Sequence, residues 1–253
     1  MSRLLEKLEQ TSKGAAKPMG FRAAAAKQES PRMVLIASPD DADRAAAEAA
    51  REYADAVLLT KAEGAEKLVS ALKDLPWGVF LAEAAEGQLA RLKKDGGDFY
   101  VFDAEAAPVA FLHDEGMGRI AEIPPSLPDG LIRAASQLPV DAVLIEGDSP
   151  MSVQRLMACQ HIVNLSSSPV MARAPVGMSE DDVRELWETG VCGTVVQVAG
   201  RDREGLKALM QAVNALPARR RARSVRTEAP CPLSAATCCQ RKTTKTNKAG
   251  SLT

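Results

Sequence analysis

The 253-residue sequence is poor in aromatic residues and has no long apolar run. Only 4% of its residues are Phe, Trp or Tyr, too few for the stacking surfaces that bind single-stranded nucleic acid. It lacks any stretch of about 18 apolar residues, so we expect no membrane-spanning helix and no membrane partner. The start of the chain also lacks the apolar segment of a secretory signal, and the expected compartment is the cytoplasm.

Cysteine and histidine are also scarce. Five cysteines form an odd set without a C-x-x-C pair, which excludes a regular disulfide framework and the usual zinc spacing. We interpret Cys159 and Cys192, which fall in apolar segments, as small hydrophobic residues. Neither His113 nor His161 ends a predicted strand, so we expect both to be structural or surface residues rather than catalytic bases.

The net charge of -1 combines an acidic body with a basic end. After Pro217 there are nine basic residues and one acid, a net charge of +8, whereas the preceding part carries -9. Residues 218–253 have no apolar periodicity from which to build a core, so we predict a disordered basic tail. We expect no nucleic-acid partner except for weak binding through this tail. A solvated terminus without a binding role is the alternative interpretation.

Eight short apolar runs alternate with stretches of helical character. The runs lack the strict alternation of a sheet with one wet face, which is typical of parallel strands buried on both sides. Eight strand-then-helix units with short connections predict an α/β fold, a (βα)8 TIM barrel spanning residues 31–217. The runs are 33–37, 56–60, 78–82, 99–103, 119–123, 142–146, 170–174 and 194–198.

A weak internal repeat supports closure of the barrel. Asp55, Asp98 and Asp141, spaced 43 residues apart, each begin the pattern D-x-apolar-apolar-apolar-polar, and Gly193 begins a degenerate fourth copy. A two-strand period suits a barrel whose interior layers draw on alternate strands, whereas an open doubly wound sheet gives no reason for it.

The segment before the first strand, residues 1–30, is predicted to be a helix followed by a linker. Leu4, Leu5 and Leu8 make one apolar stripe at helical spacing. We expect this helix to plug or flank the barrel.

The reactive groups of such barrels lie at the carboxyl ends of the strands, and here those ends are rich in charge. We identify Lys61, Glu83, Asp103, Glu122 and Arg173 as candidate catalytic residues. A lysine can serve as proton donor, base or Schiff-base amine, and an arginine can clamp an anionic substrate.

Carboxylates at several strand ends also predict a divalent metal site. Glu83, Asp103, Glu146 and Asp148 stand at the ends of three strands, the last two at the same strand, and converge if the barrel closes. Such oxygen ligands suit Mg²⁺ or Mn²⁺, which would stabilise an enolate beside a substrate carboxylate. Glu146 and Asp148 are the expected ligands. The alternative is that the acids cap the following helices and solvate the rim.

Glu122 and Arg173 differ from the other candidates because they lie before the strand end, within apolar runs. Both belong to odd-numbered strands, so their side chains share one interior layer if they point inward. An unpaired inward charge would cost on the order of several kcal/mol, so we expect the two to pair. The sequence leaves open whether Glu122 and Arg173 anchor a substrate or form a structural ion pair.

The segment 169–198 resembles the seventh strand, seventh helix and eighth strand of phosphate-binding barrels such as the ribulose-phosphate-binding superfamily. It reads PVMARAP, then SEDDV, LWETGVCG and TVV. The resemblance implies a phosphate held by backbone N–H groups after strands seven and eight, where Gly177, Gly200 and Arg201 stand here. The sequence departs from the pattern at Pro175, which has no N–H. The alternative is that Gly177 and Gly200 serve only to form a turn or to cap a helix.

Two functions follow from these observations. The first is a lyase or isomerase acting on an anionic small metabolite, carboxylated or phosphorylated, at the carboxyl-terminal mouth of the barrel. The alternative is a non-catalytic barrel that serves as a scaffold for a ligand or a protein partner. Because short barrels often bury surface against a copy of themselves, a homodimer is a further expectation.

Overall fold

Eight parallel strands close into a barrel in the computed structural model. The structure describes residues 2–13, 32–39, 43–60, 68, 71–72, 74–81, 86–113, 116–147 and 150–217. Each strand pairs with the next along the chain, and the last returns to the first over six residue pairs. The strands are β1 (Val34–Pro39), β2 (Ala56–Leu59), β3 (Trp77–Leu81), β4 (Phe99–Asp103), β5 (Gly118–Ile123), β6 (Ala142–Ile145), β7 (Val170–Ala174) and β8 (Gly193–Val198).

The predicted (βα)8 barrel is therefore confirmed, with every strand where an apolar run predicted it. The predicted linker up to residue 30 and the predicted tail 218–253 lie outside the described residues, so the domain boundaries stay predictions.

Seven α-helices and two short 3-10 segments accompany the strands in the described part of the chain. The helices are α1 (Arg3–Lys13), α2 (Arg44–Tyr53), α3 (Glu86–Lys94), α4 (Asp129–Ala135), α5 (Val153–Leu165), α6 (Glu180–Glu188) and α7 (Arg203–Ala215). The 3-10 segments are Val109–His113 and Gly200–Asp202.

The expectation of a helix after every strand is wrong after β4, where the described residues of the connection form one 3-10 segment, Val109–His113, and no α-helix. Aromatic side chains fill the space outside the barrel wall there. Phe111 packs against Tyr100 and Phe102 with ring centroids 6.1 Å apart in both pairs, and the Tyr100 hydroxyl donates to the Phe111 carbonyl. Large rings cover this part of the wall without a longer helix.

The core consists of an outer layer between strands and helices and an inner cluster inside the barrel. Side chains alternate between the two layers along each strand, because successive residues of a strand point to opposite faces. Leu4 and Leu8 of α1 are fully buried and belong to the inner cluster, as do Val34 and Phe99 at the strand starts. The prediction that the first helix plugs or flanks the barrel is confirmed.

The repeated aspartates fasten the amino-terminal end of the barrel. Asp98 accepts hydrogen bonds from the N–H groups of Arg3 and Leu4 at 2.8 and 3.0 Å, which attaches α1. Asp55 accepts from the N–H of Leu35 at 3.1 Å, and Asp141 makes the equivalent bond to the N–H of Arg119 at 2.9 Å. The two-strand repeat therefore reflects a structural need at the end of the barrel opposite the mouth.

Candidate active site at the barrel mouth

An ion pair lies inside the barrel at the carboxyl ends of β5 and β7. Ile120 and Met171 belong to the inner cluster, so Glu122 and Arg173, two residues further along, also point inward. The Nε of Arg173 donates to Oε1 of Glu122. The side chains are 9% exposed for Glu122 and 17% for Arg173. The expected pairing of these two charges is confirmed.

The guanidinium of Arg173 also lies over an aromatic ring. Its Cζ is 5.6 Å from the ring centroid of Phe80 on β3, which packs against the inner cluster. A cation at this distance is attracted by the negative face of the ring. Our sequence analysis did not single out Phe80. The apolar run around Phe80 predicted a strand, but it did not predict whether the Phe80 side chain faces the barrel interior or the helices.

Arg173 keeps donors available for a ligand. Among the described residues, Glu122 is the one hydrogen-bond acceptor for its side chain, and that bond uses Nε. A guanidinium has five N–H donors in a planar fork, so the two Nη groups present four more. The part of Arg173 that faces the mouth can therefore receive two oxygens of a carboxylate or phosphate.

Asp103 adds a second carboxylate beside the pair. It ends β4 in register with Glu122 on β5, and it is half-buried. Its Oδ1 accepts a hydrogen bond from the N–H of Glu105 at 2.9 Å, which fixes the side chain against the turn that follows the strand. The ends of β4, β5 and β7 thus carry two carboxylates and one guanidinium, of which Glu122 and Arg173 are in direct contact.

Arg155 of α5 joins the ends of β6 and β7. Its Nη2 donates to the carbonyl of Gly147 and, at 2.6 Å, to that of Arg173, while its Nη1 lies 3.4 Å from the carbonyl of Glu146. Gly147 has φ +115°, and a Cβ there would lie 2.5 Å from Nη1. Glycine is therefore required, both by its backbone conformation and by the close approach of Arg155.

Sequence analysis also missed Arg155, although it is the one charged residue in an otherwise uncharged helix. Arg155 is 8% exposed, and its Nε has no hydrogen-bond partner in the described residues. One turn further, burial raises the pKa of the Cys159 thiol against the opposing effect of Arg155. Cys159 and Cys192 are both buried, as expected of small hydrophobic residues.

The predicted phosphate-binding residues have different surroundings. Gly177 is exposed after β7, and a Cβ there would meet open space, so the fold does not require glycine. The N–H of Gly200 after β8 donates to Oδ2 of Asp43 at 2.7 Å. The structure describes Arg201 within Gly200–Asp202 but not its side chain. A phosphate on Gly200 would therefore have to displace a carboxylate of the protein itself.

Asp43 is the N-cap of α2, and its Oδ1 accepts from the N–H groups of Ala45 and Ala46 at 3.0 and 3.1 Å. The hydrogen bond from the N–H of Ala46 has the largest effect on the pKa of the Asp43 carboxyl and lowers it. Burial has the next largest effect and raises this pKa, but the N–H groups of Gly200 and Ala45 lower it further, so it lies below its ordinary value. One carboxylate thus binds α2 to the loop after β8.

We expect Asp43→Asn to lower the free energy of unfolding by about 1 kcal/mol at pH 7, because an amide caps the helix without the charge. Since the pKa of Asp43 is lowered in the folded state, its contribution is present above the unfolded pKa and is lost as the pH falls through the folded one. Urea unfolding of both proteins between pH 7 and pH 2 tests this expectation. A difference that stays constant over that range would contradict it.

Several predicted site residues cannot be placed. Lys61, Glu83 and Asp148 lie outside the described residues. Glu146 follows β6 and is exposed, and its carbonyl faces Arg155. In the residues that the structure describes, no three His, Cys, Asp or Glu side chains are grouped closely enough to hold a metal ion. The predicted Mg²⁺ or Mn²⁺ site therefore stays a prediction.

His161 lies on the surface of α5, where its Nε2 is 2.8 Å from Oδ1 of Asp129 on α4. This position agrees with the surface role expected of it. None of the helices in the described ranges combines the length and apolar character that a membrane span requires.

No protein-family model and no curated protein matches the chain. Solved structures do resemble it. A mutant tryptophan synthase alpha-subunit from Pyrococcus furiosus is 16% identical with a TM-score of 0.57, covering 72% of this chain and 97% of that one. A thiamine phosphate pyrophosphorylase from Pyrococcus furiosus is 18% identical with a TM-score of 0.54, covering 73% and 96%. At these identities the likeness establishes the fold alone, and the fold is a TIM barrel.

Proposed function

We propose that this barrel is a lyase or isomerase that binds a small carboxylated or phosphorylated metabolite at its carboxyl-terminal mouth. The observation that carries the proposal is the position of Arg173, an inward-facing cation whose Nη groups have no acceptor among the described residues. The enzyme names of the structural neighbours are consistent with this reading of the fold.

Anion binding follows from the geometry of the guanidinium. The Phe80 ring and Glu122 hold Arg173 in place, so little side-chain freedom is lost when a ligand binds. A ligand carboxylate or phosphate on the Nη groups would place the neighbouring carbon of the ligand close to Glu122. Because Asp43 already uses the N–H of Gly200, this binding mode rests on Arg173 rather than on the backbone cradle of phosphate-binding barrels.

Glu122 is the proposed acid–base group. Its carboxylate would take a proton from the carbon beside a substrate carbonyl, and the electron pair of that C–H bond would move to the carbonyl oxygen to give an enolate. Return of the proton to a different carbon completes an isomerisation, whereas expulsion of a leaving group completes a lyase reaction. Asp103, in register with Glu122, is the second proposed proton carrier.

The proposal includes a divalent cation, because a nearby Mg²⁺ or Mn²⁺ would stabilise the negative charge of an enolate. Glu146 and Asp148 are its proposed ligands. Lys61, as proton donor, base or Schiff-base amine, and Glu83 remain proposed catalytic residues after the second and third strands.

The second candidate function is a scaffold without catalysis. It is favoured by the satisfied Glu122–Arg173 pair, which would also stabilise a barrel with no substrate. Anion binding that depends on Arg173 would support a small-molecule site at the mouth and count against a scaffold for a protein partner alone, which suggests a direct experiment.

We expect at least one of inorganic phosphate, malonate and glycerol phosphate, each with and without Mg²⁺, to raise the melting temperature of the full chain. A probe at 100 times its Kd adds about 2.7 kcal/mol, or roughly 5–10 °C for a chain of this size. Arg173→Met should abolish the rise, because the Nη donors are removed.

Arg119→Met is the matched control. Arg119 also forms an ion pair through its Nε, 3.0 Å from Oδ2 of Asp141, at the opposite end of the barrel. This variant should melt at a lower temperature yet keep the rise produced by the probe. The proposal fails if no probe raises the melting temperature, or if Arg173→Met responds as the wild type does.

A further inference from the structure

The large apolar side chains that remain exposed are concentrated on one side of the barrel. In the described part of the chain five are more than half exposed, and four of these belong to α4, α5 and the turn after α4. They are Leu131 at 55%, Leu138 at 51%, Val153 at 74% and Met157 at 67%. The fifth, Val109, lies on the preceding connection between β4 and β5. We call the first four the α4–α5 face.

The two helices of this face are tied to each other. His161 of α5 pairs with Asp129 of α4, and the hydroxyl of Ser136 after α4 is 3.3 Å from that of Ser166 after α5. Val153 and Met157 are one helical turn apart, so they share a stripe of α5. A shallow groove of about 650 Å³ runs from this stripe, at Met157, to Thr189 at the end of α6.

The α4–α5 face is also almost free of net charge. The single charged residue of α5, Arg155, is buried beneath it, and α4 carries Asp129 and Arg133, which have opposite signs. By contrast, α6, the next helix along the chain, has six charged residues in nine, five of them acidic. The exposed residues of α5 include no Asp, Glu, Lys or Arg; they are the apolar Val153 and Met157 and the polar Gln154, Gln160, His161 and Asn164.

We propose that the α4–α5 face is the interface of a homodimer with two-fold symmetry. In such a dimer the same patch meets itself, and a residue near the two-fold axis, where we place Met157, approaches the same residue of the other copy. The body of the chain carries a net charge of -9, which repels a second copy from every acidic face. A neutral apolar face avoids that repulsion, whereas a strongly basic partner would favour the acidic surface of α6.

The size of the face sets the expected affinity. The 13 residues of α5 span about 20 Å and the seven of α4 about 10 Å, and each helix is about 10 Å wide, so the face offers roughly 300 Å² from each copy. This is smaller than most stable interfaces, so we expect weak association with a Kd in the micromolar range or above. The dimer should therefore form and dissociate with concentration.

The test is sedimentation of the full chain from about 1 µM to about 300 µM, a range that brackets a micromolar Kd. A reductant is present because Cys231, Cys238 and Cys239 could cross-link copies. We expect the mass to rise reversibly from one copy to two. Met157→Glu and Met157→Lys should each weaken association at least tenfold, because like charges then meet at the interface.

Mixing the two variants in equal amounts should restore association, since glutamate on one copy then meets lysine on the other. Gln211→Glu, which adds the same charge to an exposed position of α7, should dimerise as the wild type does. Equal melting temperatures at 1 µM will show that all four proteins are folded. The inference is overturned if the chain stays monomeric, if Met157→Glu dimerises normally, or if the mixture does not recover.

Discussion

Arg173→Met is expected to lower the free energy of unfolding by about 3–5 kcal/mol, the usual cost of removing one partner from a buried ion pair. The substitution leaves the Glu122 carboxylate inside the barrel, where its 9% exposed side chain has little access to water. Chemical denaturation at pH 7 measures the loss. A loss below about 1 kcal/mol would show that water reaches Glu122 freely and that the pair is not a buried one.

A double variant provides the control for this prediction. Glu122→Met together with Arg173→Met removes both charges and replaces them by apolar side chains, so it should recover at least half of the loss. If the double variant is as unstable as the sum of the two single ones, shape rather than charge governs this layer of the barrel.

The stability measurement and the ligand measurement together separate the two interpretations of the pair. A structural ion pair predicts a large loss of stability and no dependence of ligand binding on Arg173. A substrate-anchoring pair predicts a large loss of stability and also ligand binding that depends on Arg173. The Arg119→Met control belongs to both experiments, because it breaks an ion pair without touching the mouth.

Leu8→Ala is expected to lower the free energy of unfolding by about 2–5 kcal/mol, as other large-to-small changes in a core do. Leu8 is fully buried in the inner cluster at the strand starts. It packs closely against Gly193 of β8, because a Cβ at Gly193 would lie 3.1 Å from Cδ2 of Leu8. The surrounding strands are held by their hydrogen bonds and cannot close the resulting cavity.

Gln10→Ala is the matched control, because Gln10 belongs to the same helix but is exposed. Its effect should stay within about 0.5 kcal/mol. A small effect for Leu8→Ala as well would mean that α1 covers the barrel without contributing to its stability, and the interpretation of α1 as a plug would be wrong.

The strands could be predicted from the sequence because a strand covered on both faces must be apolar throughout, and eight such runs stand out from the charged helices. The pairing of Glu122 and Arg173 could be predicted on the condition that both point inward, because charge within an apolar run demands a partner and both lie on odd-numbered strands; the inward direction itself could not be predicted. Phe80 carries no such signal, since an aromatic residue suits either face of the wall.

Two contacts of the site depend on geometry that no local pattern reveals. Asp43 meets Gly200 across 157 positions of sequence, and they become neighbours only because β8 returns to β1. Arg155 reaches the carbonyl of Arg173 only because α5 packs beside the ends of β6 and β7. A lone arginine in an uncharged helix was a usable clue to a buried role, but not to its acceptors.

The seam between β1 and β8 has a consequence for biosynthesis. Val34 pairs with Gly193, so the hydrogen-bonding edge of the first strand has no permanent neighbour until the ribosome has made the last one. At about 5–20 residues per second that interval is roughly 10–30 s. An uncovered strand edge attracts other chains. Nascent copies of this protein should therefore depend on chaperones more than a helical protein of equal length.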